Sequence, residues 1–277
     1  MFNIRVGEHS PRVTLLQILL NSHACTGVDG RRLTVDGAYG RNTRAAVGAA
    51  GKMIGVGDLS GSAATPALIQ RLLADVDLSV ITSVDLGDPQ LQDDVDQFRR
   101  NFDDPILLGG MCNGLAQMVL AVQSRARPGR VAALRLDGHG NLGEWLAVSV
   151  GNVVDLREGN RAAQQEYAAI AREVYSYISA KNFDKVNGMI LPLSRIFAPF
   201  GFAEHLGCTL GARPQTRAML GKLATLWGVP IRVGILTQPI GSVMDIHGPA
   251  FTAFPRGHNL TIWSRQFQTL DLPGVSR

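Results

Sequence analysis

Two side chains that could act together as nucleophile and base, His139 and Cys208, each lie at the end of a predicted strand. His139 follows the apolar run RVAALRLDG, and Cys208 ends the run GFAEHLGC. An imidazole can take the proton of a thiol, and the thiolate can then attack a carbonyl carbon. Gly138 and Gly140 flank the histidine, so the backbone can approach a substrate closely and the N–H of Gly140 can point at it. These residues predict a His/Cys catalytic dyad.

The sequence around Cys208, LGCTLG, predicts a sharp turn that leads into a helix. Gly207 and Gly211 permit this turn, and the helix is expected over residues 216–227. Because the N-terminus of a helix is electropositive, we expect its dipole to favour the thiolate of Cys208. The alternative is that Cys208 is a buried structural thiol, as free cysteines often are.

Polar residues on either side of His139 are candidates for a supporting role. Asp137 precedes the histidine by two residues, and Asn141 and Glu144 follow it. Either carboxylate can orient the imidazole, or the two can make an acidic pocket that selects a basic substrate residue. The alternative is that both are ordinary loop carboxylates.

A second cysteine, Cys112, is the rival nucleophile. It lies in GGMCNGLAQ, directly before a predicted helix, and it could instead line the same cleft as the dyad. A second histidine, His205, lies in the strand that leads to Cys208, and we expect it to pack or to point away from the site.

The elements that must position the dyad alternate between strand and helix from Pro105 onward. Such alternation predicts an α/β fold with a mostly parallel sheet and helices on both faces. Ligand sites in such sheets lie at the carboxyl ends of the strands, where His139 and Cys208 both fall. The expected strands cover residues 105–110, 130–138, 201–208 and 229–237, and the expected helices cover 113–126, 160–180 and 216–227.

The first 78 residues have a different pattern and predict a small all-α domain of three short helices. Ser10 and Thr65 are N-cap residues, each followed by a proline at the first helical position. Asn42 or Thr43 is expected to cap the middle helix. The acidic, polar stretch over residues 79–104 predicts a linker with at most one surface helix, and residues 105–277 form the predicted α/β domain.

The pattern of an LQ-containing helix, then DGxYGxxT, then AV resembles the three-helix peptidoglycan-binding module of cell-wall hydrolases. This resemblance implies wall binding through the residues of the DGxYGxxT segment. The residues concerned are Asp36, Gly37, Tyr39, Gly40 and Thr43. The chain departs from the family at Ala49-Ala50, where Phe-Gln is usual. The alternative is that the segment only builds a turn.

The order of a strand ending in His-Gly, a strand ending in Cys-x-x-Gly, a helix and a strand beginning Val-Pro resembles the caspase–legumain–gingipain cysteine peptidases. The resemblance implies a dyad of His139 and Cys208 with the backbone N–H groups of Gly140 and Cys208 as the oxyanion hole. It implies neither a metal nor a cofactor. Histidine before cysteine in the chain argues against papain-like wall peptidases, in which the cysteine comes first.

Composition narrows the functional classes. Hydrophobic residues make up 45% of the 277 residues and charged residues 18%, which suits a chain with a sizeable core. The apolar runs are too short to span a bilayer, and the N-terminus lacks the features of a signal peptide. The net charge is +4, but the arginines are scattered rather than clustered, which argues against nucleic-acid binding. Three cysteines fit neither a fully paired disulfide framework nor a zinc pattern.

Together these features predict a cell-wall-targeted cysteine peptidase, with a secreted antibacterial effector or toxin as one form of it. The expected partners are peptidoglycan, a peptide or protein substrate, and a cognate inhibitor or immunity protein. Such a protein would be made in the cytoplasm and delivered to the envelope or periplasm by a dedicated route. The alternatives are a non-catalytic wall-binding or interaction protein on a caspase-like scaffold, and a papain-like enzyme that uses Cys112.

Overall fold

The computed structural model describes residues 1–87, 91–109, 114–139, 145–147, 176–239, 241 and 243–273. In chain order, the strands of this part are β1 (Ile4–Arg5), β2 (Ala63–Ala64), β3 (Ser79–Asp85), β4 (Ile106–Leu108), β5 (Val131–Asp137), β6 (Trp145–Ala147), β7 (Tyr177–Ser179), β8 (Phe197–His205), β9 (Ile231–Gly234) and β10 (Ala250–Ala253). The helices are α1 (Pro11–Ser22), α2 (Arg41–Ile54), α3 (Pro66–Asp75), α4 (Gln92–Arg100), α5 (Gly114–Arg125), α6 (Phe183–Ile190), α7 (Pro214–Trp227) and α8 (Leu260–Arg265).

Six of the described strands form one mostly parallel sheet in the order β10-β9-β8-β5-β3-β4. Neighbouring strands from β9 to β4 run parallel, and β10 pairs with β9 in the antiparallel direction. The predicted α/β class with a mostly parallel sheet is therefore confirmed. The order reverses between β3 and β5, and such a reversal opens a crevice at the carboxyl ends of the two strands.

Helices cover both faces of this sheet because its strands are apolar on both sides. On one face, Ala133, Phe200 and Phe202 share a hydrophobic core with α1 and with Trp263 of α8. On the other face, apolar residues of β5 and β8 share a second core with α5, α6 and α7. Strands buried on both faces have little need for alternating polarity, which explains the continuous apolar runs in the sequence.

Helix α1 joins the N-terminal helices to the sheet. All twelve of its residues are buried, since α2 and α3 contact one side of it while β8 and α8 contact the other. A helix that is apolar around most of its circumference needs such a position. The helices of residues 1–78 thus share a core with the sheet, and the expected boundary at residue 78 does not separate two cores.

The expected linker over residues 79–104 is wrong, because this segment supplies β3 and α4. Strand β3 lies between β5 and β4 inside the sheet. Its sequence, SVITSVD, is rich in β-branched residues, which favour a buried strand. Val95 and Phe98 of α4 pack against Val84 of β3, and the exposed Asp93 and Asp96 mark the outer side of this docked helix.

Two of the three N-terminal helices, α1 and α3, have the N-cap residues that the sequence predicts. The hydroxyls of Ser10 and Thr65 accept N–H groups of the first turns of α1 and α3, as expected. Helix α2 instead begins at Arg41 with Gly40 as its N-cap. The hydroxyl of Thr43 is engaged elsewhere, since it donates to the carbonyl oxygen of Ala38 at 3.2 Å.

The end of the expected helix 160–180 is also wrong, since residues 177–179 form β7, which pairs with β6. The side chain of Asn182 explains the change. Its amide nitrogen donates to the carbonyl oxygen of Tyr177 at 2.8 Å, and its oxygen accepts the N–H of Ser179 at 2.8 Å. These bonds replace helical ones. The earlier part of that helix lies outside the described residues.

A buried group of charges, here called the Glu204 cluster, links α1 to the centre of the sheet. Both carboxylate oxygens of Glu204 accept from the guanidinium of Arg12, at 2.6 and 2.7 Å. Glu204 also accepts from Arg232 at 3.0 Å, and Arg135 Nε lies 3.4 Å from it. The bidentate Arg12 contact holds α1 in a fixed orientation on β8.

Of the helices described, none has both the length and the apolar composition that crossing a membrane requires.

Candidate functional site

The structure places His139 and Cys208 at the same edge of the sheet. His139 lies two residues beyond the end of β5, and Cys208 lies three residues beyond the end of β8. The two strands are parallel neighbours, with Leu136 opposite His205, and parallel neighbours are ~4.8 Å apart. Both residues thus follow the carboxyl ends of their strands, as expected, and the structure adds that these two strands are neighbours.

The turn that carries Cys208 is attached to the segment after β9. The N–H of Thr209 donates to the carbonyl oxygen of Leu236 at 3.1 Å, and the N–H of Gly211 donates to that of Gly234 at 2.8 Å. Thr209 has a positive φ of 53°. A side chain at position 211 would meet Phe251, because a Cβ there would lie 2.8 Å from the phenylalanine Cβ, so glycine is required by packing.

The thiol of Cys208 is half-buried and contacts one residue of that segment through its backbone. The N–H of Gln238 lies 3.3 Å from Sγ, and Sγ lies 3.5 Å from the carbonyl oxygen of Gln238. The backbone of Gln238 thus contacts the sulfur with both its donor and its acceptor. Nothing in the sequence marks a glutamine in a loop after a strand, and this residue was missed.

The expected help from a helix dipole is wrong. Helix α7 begins at Pro214, six positions after Cys208, with Arg213 as its N-cap. The dipole acts mainly within the first turn of a helix. The residues between Cys208 and α7 form a turn that packs against β9 and β10. The backbone N–H that contacts the sulfur therefore belongs to Gln238 and not to the first turn of a helix.

His205 is buried, as expected for a histidine of β8 that packs in the sheet. Its Nδ1 accepts the N–H of Gly207 at 3.0 Å. The ring therefore helps to shape the turn directly before Cys208.

Asp137 differs from the charged supporting carboxylate that the sequence predicts. Its side chain is 5% exposed at the end of β5. Burial, with the nearby Asp94 of α4, outweighs the attraction of Arg135 and raises the pKa of Asp137 well above its ordinary value. Burial therefore disfavours the charged form of Asp137, which weighs against the acidic pocket expected at this residue.

Asp94 was missed because its segment was interpreted as a linker. Its side chain is 4% exposed and accepts the N–H of Gly241. Asp94 thereby joins α4 to the loop that also contains Gln238.

Four of the predicted site residues lie outside the described part of the chain. They are Cys112, Gly140, Asn141 and Glu144.

A second candidate site lies at the DGxYGxxT segment, which borders a cavity of about 470 Å³. Of the five predicted wall-binding residues, Asp36, Gly40 and Thr43 line it. The other lining residues are Gln17, Val28, Asp29, Leu33, Thr34, Ala38, Arg41 and Asn42.

The two remaining predicted wall-binding residues, Gly37 and Tyr39, support the turn and are absent from this lining. Tyr39 is 1% exposed, and its hydroxyl donates to the carbonyl oxygen of Gly61 at 2.8 Å. Gly37 has a φ of 75°, and a Cβ there would lie 2.8 Å from the side chain of Leu260. Both positions are explained by packing.

Gln17 of α1 lines the cavity and holds the turn that borders it. Its Nε2 donates to Asp36 Oδ1 at 2.8 Å and to the carbonyl oxygen of Ala38 at 3.0 Å, and its Oε1 accepts the N–H groups of Asp36 and Gly37. The amide thus uses its full bonding capacity on the turn. The glutamine of the LQ pattern was the sequence signal for this role.

No protein-family model, curated protein or solved structure matches this chain.

Proposed function

We propose that the chain is a cell-wall-targeted cysteine peptidase in which His139 and Cys208 form the catalytic dyad. The observation that supports this most directly is their placement beyond the carboxyl ends of the parallel neighbours β5 and β8. The order of strand–histidine and strand–cysteine also agrees with the resemblance to the caspase–legumain–gingipain peptidases.

In the proposed reaction, His139 takes the proton from the Cys208 thiol, and the thiolate attacks the carbonyl carbon of the substrate peptide bond. The backbone N–H groups of Gly140 and Cys208 would hold the oxyanion. The protonated His139 then gives its proton to the leaving amine. Water, deprotonated by the same imidazole, hydrolyses the thioester and restores the thiol.

Two features of the described site favour a reactive thiol over a structural one. Cys208 is only partly buried, whereas Cys25 is buried and burial raises the pKa of the Cys25 thiol. Gln238 also directs an N–H at the Cys208 sulfur. Reactive cysteines are found in partly exposed surroundings, whereas buried structural cysteines are inert.

The deciding experiment compares cysteine variants of the full chain delivered to the periplasm of a bacterial host. We expect Cys208→Ala and His139→Ala each to abolish toxicity and peptide hydrolysis. The double variant should be no worse, since the two residues act as one unit. Cys25→Ala is the control and should keep full activity. Full activity in Cys208→Ala together with its loss in Cys112→Ala would move the nucleophile to Cys112.

The cavity at the DGxYGxxT segment supports a proposed role in binding peptidoglycan, which would bring the peptidase to the envelope. Exposed polar side chains of Asp36, Arg41 and Asn42 line it, and such groups bind the hydroxyl and amide groups of a glycan with its peptides. This binding would make wall stem peptide or an envelope protein the substrate. An immunity protein would protect the producing cell from such an effector.

Sedimentation of the full chain with purified peptidoglycan tests the cavity. The full chain is needed because α1 shares its core with the sheet. We expect the Arg41→Ala/Asn42→Ala double variant to lose binding, and Lys52→Ala, exposed on the same helix outside the cavity, to keep it. Equal sedimentation of the two variants would show that the cavity does not bind the wall. Binding without any hydrolysis would favour a non-catalytic wall protein.

A further inference from the structure

The segment that follows β9 contacts the sulfur of Cys208 with both polar groups of one backbone residue, Gln238. The N–H donates to Sγ at 3.3 Å, and the thiol can donate to the carbonyl oxygen at 3.5 Å. The second bond exists only while the sulfur carries its proton. The first becomes stronger when the proton leaves, because bonds to a charged acceptor are about twice as strong as neutral ones. The position of this N–H therefore affects how readily Cys208 ionises.

The side chain of Gln238 fixes the position of its own backbone. Its Oε1 accepts the N–H of His247 at 2.6 Å, and its Nε2 donates to the carbonyl oxygens of His247 at 3.2 Å and Leu236 at 2.8 Å. Both donors and the acceptor of the amide are thus bonded to main-chain groups. These bonds, here called the Gln238 clamp, tie the segment at 235–239 to the segment around His247.

A glycine at the end of β9 provides independent support for this clamp. A Cβ on Gly234 would lie 2.4 Å from Nε2 of Gln238 and 2.9 Å from its Cδ. The amide therefore occupies the space that a side chain at position 234 would need. Gly234 also accepts the N–H of Gly211 from the Cys208 turn, so the same few residues hold both the turn and the clamp.

We propose that Gln238 is a positioning residue for Cys208, whose side-chain clamp holds the backbone N–H that stabilises the thiolate. This proposal rests on the proposed function only in taking Cys208 as the nucleophile. Gln238 itself does not need to touch the substrate. Its effect is on the ionisation and reactivity of the sulfur, which can be measured without any substrate.

The test measures the rate at which iodoacetamide alkylates Cys208 in the full chain, followed by mass spectrometry of the peptide that contains it, from pH 5 to 10. We expect Gln238→Ala to lower the rate at pH 7 about 2- to 10-fold, the range that one hydrogen bond is worth. The midpoint of the pH–rate profile should move upward. Gln238→Glu, which keeps one acceptor but loses both donors, should change the rate in the same direction.

Gly234→Ala offers a second route to the same effect, since it displaces the amide sterically. The decisive comparison is the Gly234→Ala/Gln238→Ala double variant, which should react no more slowly than Gln238→Ala alone, because the clash partner is gone. Gly188→Ala on α6 is the matched control, since a Cβ there meets nothing within 4 Å. Its rate and pH profile should equal those of the wild type.

An unchanged rate and midpoint in both Gln238 variants would overturn the proposal. Additive losses in the double variant would also overturn it, because they would mean that Gly234 and Gln238 act separately. A shifted Cys208 profile in Gln238→Ala, in a chain that shows no hydrolysis or toxicity, would support the clamp while refuting the peptidase. A normal thermal midpoint in each variant ensures that the rates report on the site.

Discussion

Glu204, near the end of strand β8, and Cys208, in the turn that follows this strand, are four positions apart and have opposite surroundings. Glu204 is 1% exposed and is held by Arg12, Arg135 and Arg232. Cys208 is half-buried and is contacted by the backbone of a single loop residue. A buried group of charges and a half-buried thiol therefore lie within four positions of each other.

The difference separates a carboxylate that stabilises the fold from a thiol that is available for the proposed reaction. The Glu204 cluster lies in the centre of the sheet, where α1 excludes water and bidentate geometry offsets the cost of burying charge. Cys208 lies beyond the last paired residue of β8, His205, and its thiol is only half-buried. Removing one of the cluster's charges should cost folding free energy, whereas altering the thiol should cost reactivity.

The largest expected effect is on Glu204→Gln, which keeps the side-chain shape but removes the negative charge. Arg12 would keep its ion pair with Asp245 at 2.9 Å, but Arg12 and Arg135 would both remain fully buried without the carboxylate that they share. Breaking a buried ion pair in this way costs about 3–5 kcal/mol of the free energy of unfolding. Urea denaturation measures the change.

Asp271→Asn is the control for this prediction. Asp271 pairs with Arg32 at the surface, at 2.5 Å, and surface pairs are worth about 0–1 kcal/mol. Equal losses in the two variants would contradict a special role for the Glu204 cluster.

The same comparison predicts a pH dependence at acid pH. Burial alone would raise the pKa of Glu204, but the charges of Arg12 and Arg232 outweigh burial and lower it from 4.5 to about 2. A depressed folded-state pKa stabilises the protein above the unfolded value and loses this stabilisation as the pH falls. The stability difference between wild type and Glu204→Gln should be constant above pH 4.5 and shrink toward pH 2. A constant difference down to pH 2 would contradict this assignment.

A smaller effect, of opposite sign, is expected at Asp137, which lies at the end of β5. Its raised pKa means that the folded state holds a proton that the unfolded chain has lost above about pH 4. The free energy of unfolding therefore falls as the pH rises through this window. Asp137→Asn cannot ionise and can still donate to Asp94, so it should stabilise the protein at pH 8 and make little difference at pH 4.

Denaturation of Asp137→Asn at both pH values measures this effect. A variant less stable than wild type at pH 8 would indicate that Asp137 is ionised and stabilised by Arg135 instead.

The smallest effect on stability is expected for Cys208→Ala. A half-buried thiol at an open turn leaves little cavity, so the free energy of unfolding should change by less than about 1 kcal/mol. Thermal or urea denaturation measures the change, with the buried Cys25→Ala as a costlier reference. A loss as large as that of Glu204→Gln would make Cys208 a structural thiol and remove the contrast between Glu204 and Cys208.

Local sequence patterns predicted the elements whose structure depends on residues close to them in the chain. Ser10-Pro11 and Thr65-Pro66 cap α1 and α3 as expected, because an N-cap hydroxyl and the restricted φ of proline act within one turn. The apolar runs that end at His139 and near Cys208 form parallel neighbours of the sheet, because buried parallel strands need such runs. The placement of the two residues at one edge followed from these patterns.

Only the tertiary structure decided which distant groups meet. The acidic composition of residues 79–104 predicts a linker, yet β3 lies inside the sheet, because strand pairing depends on partners far along the chain. The ionic bonds of Glu204 to Arg12 cross 192 positions, and the contact of Gln238 with Cys208 crosses 30. The raised pKa of Asp137 depends on its burial beside Asp94 of α4. Residues distant in the chain determine burial, charge pairing and the direction of a backbone N–H. Helix caps and strand patterns depend instead on residues adjacent in the chain.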